Sequence, residues 1–480
     1  MNKSIRLGAV LSMILTLVLL LNLTVVQGFR EDKYAQNPLN SRNFIELKQA
    51  DRGRINAGGQ IVADSEKDQN DFYQRVYPNM PYSFGPVLGY VSDQFGVGGL
   101  EAGMNQALSG ERGVSGSRFL RTGLEKDRAG DNVELTINPQ LQALAYEQMS
   151  DRDYAGAVVA IRPSTGAVLA MASTPSYDPN LLVNPDTAQD AWAQLNSDPA
   201  APLLNHATQD QLPPGSIFKI VTTAAGLREG YTPDSPLTGE SSIPLPGTNA
   251  SVPNYGGQMC GGSPTTTLRT AFALSCNTAF VQMGMEMGPD ALRDAAQRFG
   301  IGEGYDMAVP TASGSLGELP GAAELGQSAI GQRDVTMTAL QAAVMAATVA
   351  NEGKRMEPYV VDRVLKPDLT PVTETQPKEL AEALTPEEAA TMTELMYASE
   401  RSTFGYNGNR YASKTGTAEH AEGAAPHVWY VAFDPNNDVA VAVVVKNGGS
   451  LGVNATGGQV ASSIGRAVLG AAPANGEGNR

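Results

Sequence analysis

The chain places a serine and a lysine at a spacing that could activate the serine for nucleophilic attack. Ser216 and Lys219 lie three positions apart at the start of an apolar run, residues 217–227, that predicts a helix ending near Gly230. Residues three apart share one helix face, so the lysine amine can reach the serine hydroxyl. A serine hydroxyl attacks well once a neighbouring base takes its proton, and a lysine can be that base when burial or a nearby cation lowers its pKa. We therefore predict Ser216 as the nucleophile and Lys219 as the general base.

Two further motifs lie downstream of this pair. Ser275 and Asn277 form a Ser-x-Asn triplet, and Lys414, Thr415 and Gly416 form a Lys-Thr-Gly triplet. A Ser-x-x-Lys pair alone is weak evidence, because composition produces about one such pair in a chain of this length. The Ser-x-Asn triplet adds a second hydroxyl and an amide. The Lys-Thr-Gly triplet adds a fixed cation, another hydroxyl and a glycine whose backbone a bound substrate can approach closely. The combination favours acyl transfer through a serine.

Histidine and metal chemistry are poorly supported by the sequence. The three histidines are His206, His420 and His427, and each is expected to be structural or exposed rather than the base. His420 follows the third motif closely enough to line the rim of a cleft. No group of His, Cys, Asp and Glu has the spacing of metal ligands. We therefore expect neither a metal nor a cofactor.

Together the three motifs resemble the signature of penicillin-binding proteins and serine β-lactamases. Residues 156–175, 331–332 and 346–358 are similar to the first of these groups. Nearer the N-terminus, residues 52–55 (Arg-Gly-Arg-Ile) and 99–101 (Gly-Leu-Glu) resemble the pedestal motifs of class B penicillin-binding proteins. The resemblance covers almost the whole chain. Within class B, the short pedestal and the cysteine inside the second motif are most similar to the penicillin-binding protein A group of actinobacteria.

The resemblance implies a role for each residue of the first two motifs. Ser216 attacks a peptide carbonyl and becomes acylated, with Lys219 as the base of that step. Ser275 relays the proton toward the leaving amine. Asn277 holds the base and the substrate amide in place.

The third motif is expected to line the bound substrate. Lys414 supplies the field that keeps the base neutral. Thr415 and Thr417 bind a substrate carboxylate, and Gly416 lets the ligand approach the strand edge as an added strand. The backbone N–H groups of Ser216 and Thr417 are the expected oxyanion hole.

The implied activity is that of a peptidoglycan D,D-transpeptidase. Its donor is a stem peptide ending in D-Ala-D-Ala, and β-lactams mimic that donor. A β-lactamase would need a carboxylate that activates water, and no Glu-x-x-Leu-Asn motif is present. A D,D-carboxypeptidase stays open, because the choice of acceptor depends on the shape of the cleft. A non-catalytic role as a division-complex scaffold or penicillin sensor also stays open, although sensors carry several membrane spans.

Length, charge and the N-terminus define the setting of this chemistry. The chain has 480 residues and a formal net charge of −16, which argues against a nucleic-acid partner. Lys3 and Arg6 precede residues 7–27, an uncharged stretch of 21 residues rich in Leu, Val and Ile. That length spans a bilayer and lacks a small-x-small cleavage site, so a single uncleaved anchor is expected. The basic residues place the N-terminus in the cytoplasm and the chain after Arg30 outside.

The chain has two cysteines, Cys260 and Cys276, in a compartment that permits disulfides. Because Cys276 is the middle residue of the second motif, a bridge would tie the preceding segment to the rim of the active site. Two small buried thiols are the alternative. The even count and the compartment favour the bridge.

The elements predict an α+β fold in four parts. Residues 1–28 are a cytoplasmic stub and anchor, 29–132 a small β-containing pedestal, 133–470 the transpeptidase domain and 471–480 a disordered tail. In the pedestal, 61–63 and 87–91 are expected strands. In the transpeptidase domain, two early strands and three late ones predict a five-stranded antiparallel sheet flanked by helices, with a helical cluster inserted between them. The predicted elements of this domain are hairpin strands at 157–161 and 167–172, helices at 139–149, 216–228, 265–274, 278–287, 338–350, 385 onward and 459–469, and strands at 411–417, 428–433 and 439–445.

Overall fold

The structure is a computed structural model that describes residues 2–29, 51–110, 129–420 and 423–473. Its strands, in chain order, are β1 (Ile55–Ala57), β2 (Gln60–Lys67), β3 (Tyr73–Val76), β4 (Val91–Ser92), β5 (Gly96–Val97), β6 (Asn132–Leu135), β7 (Gly156–Ile161), β8 (Val168–Thr174), β9 (Pro236–Thr238), β10 (Ser242–Pro244), β11 (Ser251–Pro253), β12 (Thr265–Thr267), β13 (Lys354–Met356), β14 (Val361–Leu365), β15 (Pro371–Glu374), β16 (Glu379–Glu382), β17 (Ala412–Ala418), β18 (His427–Asp434) and β19 (Val439–Val445). Its α-helices are α1 (Asn2–Phe29), α2 (Pro81–Leu88), α3 (Gly99–Gly103), α4 (Asn105–Leu108), α5 (Pro139–Ser150), α6 (Asn180–Val183), α7 (Ala188–Ser197), α8 (Lys219–Arg228), α9 (Leu268–Ala273), α10 (Asn277–Met287), α11 (Pro289–Arg298), α12 (Ala322–Ser328), α13 (Ala339–Ala350), α14 (Pro386–Ser402) and α15 (Ala461–Ala471).

The expected five-stranded antiparallel sheet is confirmed. Its order is β17-β18-β19-β7-β8, so β17 is an edge strand, paired on one side with β18. The register sets Lys414 opposite Val431 and Gly416 opposite Trp429. The strand that carries the third motif therefore has one free edge beside the helical cluster.

The central strand β19 is buried on both faces, which explains its uninterrupted run of apolar residues. Ala440, Ala442 and Val444 belong to the large core that holds α8, α10 and α13. Val441 and Val443 point the other way, into a smaller core with α5 and α15. Successive side chains of a strand face opposite sides, so one strand supplies both cores.

The predicted helix starts in the transpeptidase domain are confirmed by their caps. The Asn138 side chain accepts a hydrogen bond from the Leu141 N–H at 2.9 Å, and Pro139 begins α5. Thr385 and Glu388 form a complete capping box at the start of α14. These caps orient helices that pack directly on the five-stranded sheet.

Two local predictions were wrong. Residues 87–91 were expected to form a strand, but α2 extends to Leu88, because Pro81 at its first turn starts a helix and a short apolar run does not distinguish helix from strand. The helix expected from residue 265 begins at Leu268. The three threonines before it form β12, as β-branched residues favour, and Thr267 caps the helix.

A second sheet, of six strands, lies on the N-terminal side. Its order is β15-β14-β6-β1-β2-β3, and β6 pairs in parallel with β1 and antiparallel with β14. The predicted domain boundary at 132/133 falls inside β6. The β14–β15 hairpin, which is part of the transpeptidase segment by sequence, completes this sheet. The N-terminal segment and the predicted transpeptidase segment thus contribute strands to one continuous sheet.

The predicted apolar anchor is a helix, α1. Its segment Ile5–Val26 has a mean hydropathy of 2.5 and is long enough to cross a bilayer. Among the described ranges it is the one helix with both properties. The predicted tail at 471–480 lies outside the described residues from 474 onward, and α15 ends at Ala471.

Candidate active site

The predicted nucleophile lies on a short 3-10 turn, Gly215–Phe218, that leads directly into α8. Ser216 is half-buried there. The Gly215 N–H donates to the Gly331 carbonyl oxygen at 2.9 Å. A Cβ atom on Gly331 would lie 2.2 Å from the Gly215 oxygen, so a side chain at 331 would displace the turn. The glycine at 331 therefore supports the backbone beneath the serine.

Lys219 is fully buried, and its amine is directed at the second motif. Its Nζ donates to the Ser275 carbonyl oxygen at 2.7 Å and to Asn277 Oδ1 at 2.8 Å, and lies 3.3 Å from Ser275 Oγ. It also lies 5.3 Å from the centre of the Phe280 ring. Burial lowers the pKa of Lys219 well below its usual value, and the nearby Lys414 cation lowers it further.

The spacing predicts that the Lys219 amine can reach the Ser216 hydroxyl, and in the described residues no hydrogen bond joins the two side chains. Among the residues that the structure describes, none accepts or donates a hydrogen bond at the Ser216 hydroxyl. Three oxygen atoms of the second motif surround the Lys219 amine, at 2.7 to 3.3 Å. A neutral amine has two N–H donors and one lone pair, so one of these contacts must open before the lone pair can accept the proton of Ser216.

The second motif sits at the junction of α9 and α10. The Cys276 N–H donates to the Ala271 oxygen at 2.9 Å and the Ser275 N–H to the Phe272 oxygen at 3.2 Å, which is the hydrogen-bond pattern of a Schellman cap. Ser275 occupies the left-handed position of that cap, with φ of 59°. This conformation is uncommon for a residue other than glycine. It directs both oxygens of Ser275 toward Lys219.

Lys414 approaches the same serine from β17. Its Nζ donates to Ser275 Oγ at 2.8 Å and to the Thr415 carbonyl oxygen at 3.2 Å. The side chain is fully buried, with the Phe272 ring centre 5.7 Å from Nζ. Burial lowers the pKa of Lys414 to about 7. Two buried amines with lowered pKa values thus share one hydroxyl, an arrangement suited to proton transfer.

Alternation along β17 separates the residues of the third motif. Lys414 and Gly416 face the nucleophile turn, where a Cβ atom on Gly416 would lie 2.7 Å from the Pro214 oxygen. Thr415 and Thr417 are half-buried and face the other side, and Thr417 Oγ1 accepts from the Gly457 N–H at 3.4 Å. Glycine is thus required at 416 for a second reason, in addition to the predicted approach of a ligand: β17 lies too close to the nucleophile turn for a side chain there.

The backbone around the expected oxyanion hole is closely packed. A Cβ atom on Gly215 would lie 2.8 Å from the Thr417 carbonyl oxygen. Gly215 also has a φ of +54°, which favours glycine. The turn that carries Ser216 therefore lies against β17 at Thr417, and the two residues predicted to supply N–H groups are neighbours.

Cys260 and Cys276 are joined by a disulfide, and both residues are buried. The Cys260 N–H donates to the Gly239 oxygen at 2.7 Å. The Asn277 side-chain amide donates to the Pro253 oxygen at 3.0 Å. The bridge therefore ties one wall of the site, residues 239–262, to the second motif.

Several residues of the site gave no signal in the sequence. Phe272 and Phe280 cover the two amines, but in the sequence they are ordinary apolar residues of helices. Glu400 is buried behind β17 and binds Ser413, the residue before Lys414, at 2.5 Å. Its partners are distant in sequence, and no local spacing could have indicated them.

Within the part of the chain that the structure describes, none of the three histidines is hydrogen-bonded to Lys219 or Lys414. His206 is buried, and its Nδ1 lies 2.9 Å from Asp210 Oδ2, which also accepts from Lys446 at 2.7 Å. The rings of His420 and His427 stack with centroids 4.2 Å apart, just beyond the end of β17. Within the described ranges, no three His, Cys, Asp and Glu side chains are grouped as metal ligands would be.

Comparison with known proteins places this site in a family. The profile described as the penicillin binding protein transpeptidase domain matches residues 156–470, and that of the penicillin binding protein A dimerisation domain matches residues 52–133. Peptidoglycan D,D-transpeptidase PbpA of Mycolicibacterium smegmatis is 45% identical, over 98% of this chain and 99% of that protein. PbpA of Mycobacterium tuberculosis is 43% identical over the same shares.

Solved structures agree with the sequence comparison. The ceftriaxone acyl-enzyme complex of penicillin-binding protein A from M. tuberculosis has a TM-score of 0.84 and 43% identity, and covers 89% of this chain and 99% of its own. The imipenem acyl-enzyme complex of the same protein has a TM-score of 0.83, with 44% identity over the same shares. The resemblance drawn from the three motifs is thereby confirmed: the chain belongs to the penicillin-binding protein transpeptidase family, in its class B.

Proposed function

We propose that this protein is a peptidoglycan D,D-transpeptidase that works through an acyl-serine intermediate on stem peptides ending in D-Ala-D-Ala. The observation that carries the proposal is the convergence of two buried amines, of Lys219 and Lys414, on the hydroxyl of Ser275. A buried amine with a lowered pKa is a base at neutral pH, and one next to a second hydroxyl can pass its proton on. The near full-length similarity to named D,D-transpeptidases supports the same activity.

In the acylation step, neutral Lys219 takes the proton of Ser216 as the serine oxygen attacks the carbonyl carbon of the penultimate D-Ala. The N–H groups of Ser216 and Thr417 stabilise the oxyanion of the tetrahedral intermediate. The proton then moves from Lys219 through Ser275 to the nitrogen of the terminal D-Ala. The C–N bond breaks, free D-Ala leaves, and the acyl group stays on Ser216.

In the second step, the amine of a neighbouring stem peptide attacks the same carbonyl. Ser275 and Lys219 take the proton of that amine and return one to Ser216 Oγ as the ester bond breaks. Asn277 holds Lys219 in place in both steps. Thr415 and Thr417 bind the carboxylate of the terminal D-Ala in the first step, before that residue leaves. Benzylpenicillin follows the first step only, because its leaving nitrogen stays tethered to the acyl group. The antibiotic adduct is therefore long-lived.

The test of this proposal is the intact mass of the full chain, in detergent, after incubation with benzylpenicillin. We expect a stable adduct on the native protein and none on Ser216→Ala. Rapid turnover of the drug would indicate a β-lactamase instead. Neither adduct nor turnover would contradict the catalytic proposal and favour a scaffold or sensor role. With a D-Ala-D-Ala peptide and an amine acceptor, release of D-Ala without a joined product would indicate a D,D-carboxypeptidase.

The N-terminal segment, residues 1–132, indicates how this activity is positioned. We propose that residues 1–28 are a cytoplasmic stub and anchor, that 29–132 form a pedestal and that 133–470 form a transpeptidase domain outside the membrane. Lys3 and Arg6 before α1 support this orientation. Protease added to intact spheroplasts should then cut the chain after the anchor. Full protection of the chain in intact spheroplasts would contradict this orientation.

We further propose that the partners include division-complex proteins, bound through the anchor and pedestal. Strands β1, β2 and β3 of the predicted pedestal form one end of the shared six-stranded sheet, and the edge strand β3 supports a contact surface there. A fluorescent fusion should then gather at the septum, and a chain with an exchanged pedestal should not. Uniform distribution of the native fusion around the cell would contradict a division role.

A further inference from the structure

A buried carboxylate binds the edge strand β17 on the face opposite Lys414. Glu400, in the last turns of α14, is 1% exposed. Its Oε2 accepts from Ser413 Oγ at 2.5 Å and from the Tyr430 hydroxyl at 3.0 Å. Its Oε1 accepts from Arg466 Nε at 2.8 Å and from the Asn409 side-chain amide at 3.1 Å. One side chain thus joins β17, β18, α15 and the loop before β17.

The placement of Ser413 connects this cluster to the active site. Ser413 immediately precedes Lys414, and strand alternation sends the two side chains to opposite faces of β17. Lys414 faces Ser275, whereas Ser413 faces α14, with both side chains fully buried. The position of the Lys414 amine on one face of β17 is therefore coupled, through one residue of backbone, to the hydrogen bond between Ser413 and Glu400 on the opposite face.

An edge strand needs such a fastening more than an inner strand does. β17 has a hydrogen-bonded neighbour on one side only, so half of its backbone groups are left to other partners. Inner strands β18 and β19 are held on both sides. The loop before β17 is fastened to the same cluster, since Arg466 also donates to the Phe404 oxygen at 2.9 Å. The cluster therefore restrains both the start of β17 and the segment that leads into it.

We propose that Glu400 is a positioning residue for acylation, and that it acts through Ser413 to hold Lys414 at hydrogen-bond distance from Ser275. The inference rests on the proposed function, since it assigns Glu400 a part in that reaction. The hydrogen bonds of Glu400 in the described residues go to Asn409, Ser413, Tyr430 and Arg466, and none goes to Ser216, Lys219 or Lys414. Its effect is geometric: a displacement of about 1 Å in a catalytic group can lower a rate by up to 10²-fold.

The chain offers a matched pair of variants. Ser413→Ala and Tyr430→Phe each remove one donor to the same Glu400 oxygen, and both side chains are fully buried. They differ in location, because Ser413 adjoins Lys414 on the edge strand and Tyr430 lies on the inner strand β18. A merely structural role for Glu400 predicts equal effects of both variants. A positioning role predicts a selective loss with Ser413→Ala.

The experiment measures the second-order rate of acylation by benzylpenicillin, its pH profile and the Tm, on the full chain in detergent. We expect both variants to lower Tm by similar amounts, and Ser413→Ala alone to slow acylation, by about tenfold. As Lys414 moves away, its lowering of the Lys219 pKa weakens, so the acidic limb of the Ser413→Ala profile should shift to higher pH.

Further outcomes separate failure of the positioning role from failure of the proposed function. A native rate for Ser413→Ala, or an equal loss in Tyr430→Phe, would overturn the positioning role. If native protein is not acylated at all, the proposed function itself fails, which is a separate result. Ser413→Cys replaces the hydroxyl with a weak donor of similar size, and it supplies the same comparison if the alanine variant is recovered in low yield.

Discussion

The amine of Lys414 lies 2.8 Å from the hydroxyl oxygen of Ser275, although the two residues are 139 positions apart in the chain. Lys414 lies on β17, the edge strand of the central sheet, and Ser275 lies at the end of α9 in the inserted helical cluster. The predicted catalytic residues thus meet where the sheet contacts the helices. A shift of β17 or of α9 should impair acylation before it unfolds the protein.

Removal of the predicted base should abolish most acylation. In Lys219→Ala, the Ser275 and Asn277 oxygens lose their shared donor and Ser216 loses its base. General-base catalysis typically contributes about 10²–10⁴-fold, and we expect a loss of that size in the acylation rate by benzylpenicillin. Circular dichroism of the same sample serves as the folding control. Acylation within threefold of the native rate would assign the base elsewhere.

The pH dependence of acylation should respond to Lys414. Acylation requires neutral Lys219, so the rate falls as the pH drops through the pKa of that residue. The Lys414 cation contributes to lowering that pKa, after burial. In Lys414→Gln the contribution is lost, the Lys219 pKa rises and the acidic limb should move to higher pH. A pH series of acylation rates checks this, and an unchanged limb in Lys414→Gln would contradict it.

Burial of Lys414 should also make stability depend on pH. Its pKa is about 7 in the folded protein and near 10.5 in the unfolded chain, so the unfolded state binds more protons between these values. The free energy of unfolding therefore rises with pH across this window, by about 1.4 kcal/mol per pH unit for one such group. Lys414→Met removes this contribution. The native-minus-variant difference in unfolding free energy should increase from pH 7 to 9, and a flat difference would refute the shift.

Reduction of the disulfide should loosen the second motif. Opening the Cys260–Cys276 bridge frees the wall that binds Asn277 through the Pro253 oxygen. The chain-entropy account gives a stabilisation of about 3 kcal/mol for a loop of this length. We expect a lower Tm and slower acylation in the presence of a phosphine reductant. A variant with both cysteines changed to serine should show the same loss and no response to the reductant; a response in that variant would point to another cause.

Gly416 should tolerate no side chain. In Gly416→Ala the new Cβ atom would lie 2.7 Å from the Pro214 oxygen and 3.1 Å from the Ile217 and Trp429 side chains. Such overpacking costs about 1–3 kcal/mol and would push β17 away from the nucleophile turn. We expect a lower Tm with a clear loss of acylation. Gly304→Ala is the control, since its Cβ atom would be 3.7 Å from its nearest neighbour, Thr311. Native acylation in Gly416→Ala would show that the strand can move without consequence.

Local signals in the sequence predicted most elements of the transpeptidase domain. The caps at Asn138, Thr338 and Thr385 act within four residues, so their patterns are legible without a structure. The valine-rich run of β19 is legible because burial on both faces removes the polar alternation. Errors fell where the local signal is weak, as at the start of α9 and in the short apolar run of α2.

The contribution of the β14–β15 hairpin to the N-terminal sheet could not be predicted. Val361 pairs with Leu135, and Arg363 with Glu134, across more than two hundred residues of chain. Strand pairing at such separation leaves no periodic trace in either strand. The domain division drawn from sequence therefore passes through β6, a strand that both parts share.

What the sequence alone determined is the chemistry and the family. The residue types and their order, a serine and lysine three apart followed by Ser-x-Asn and Lys-Thr-Gly, restrict the reaction to acyl transfer on a serine. Only the tertiary structure decided which atoms meet: that Lys219 binds the second motif rather than Ser216, and that Glu400 lies behind Lys414. The physical reason is that residue types determine which chemical groups are available, whereas the contacts and burial that set their pKa values depend on how distant segments pack.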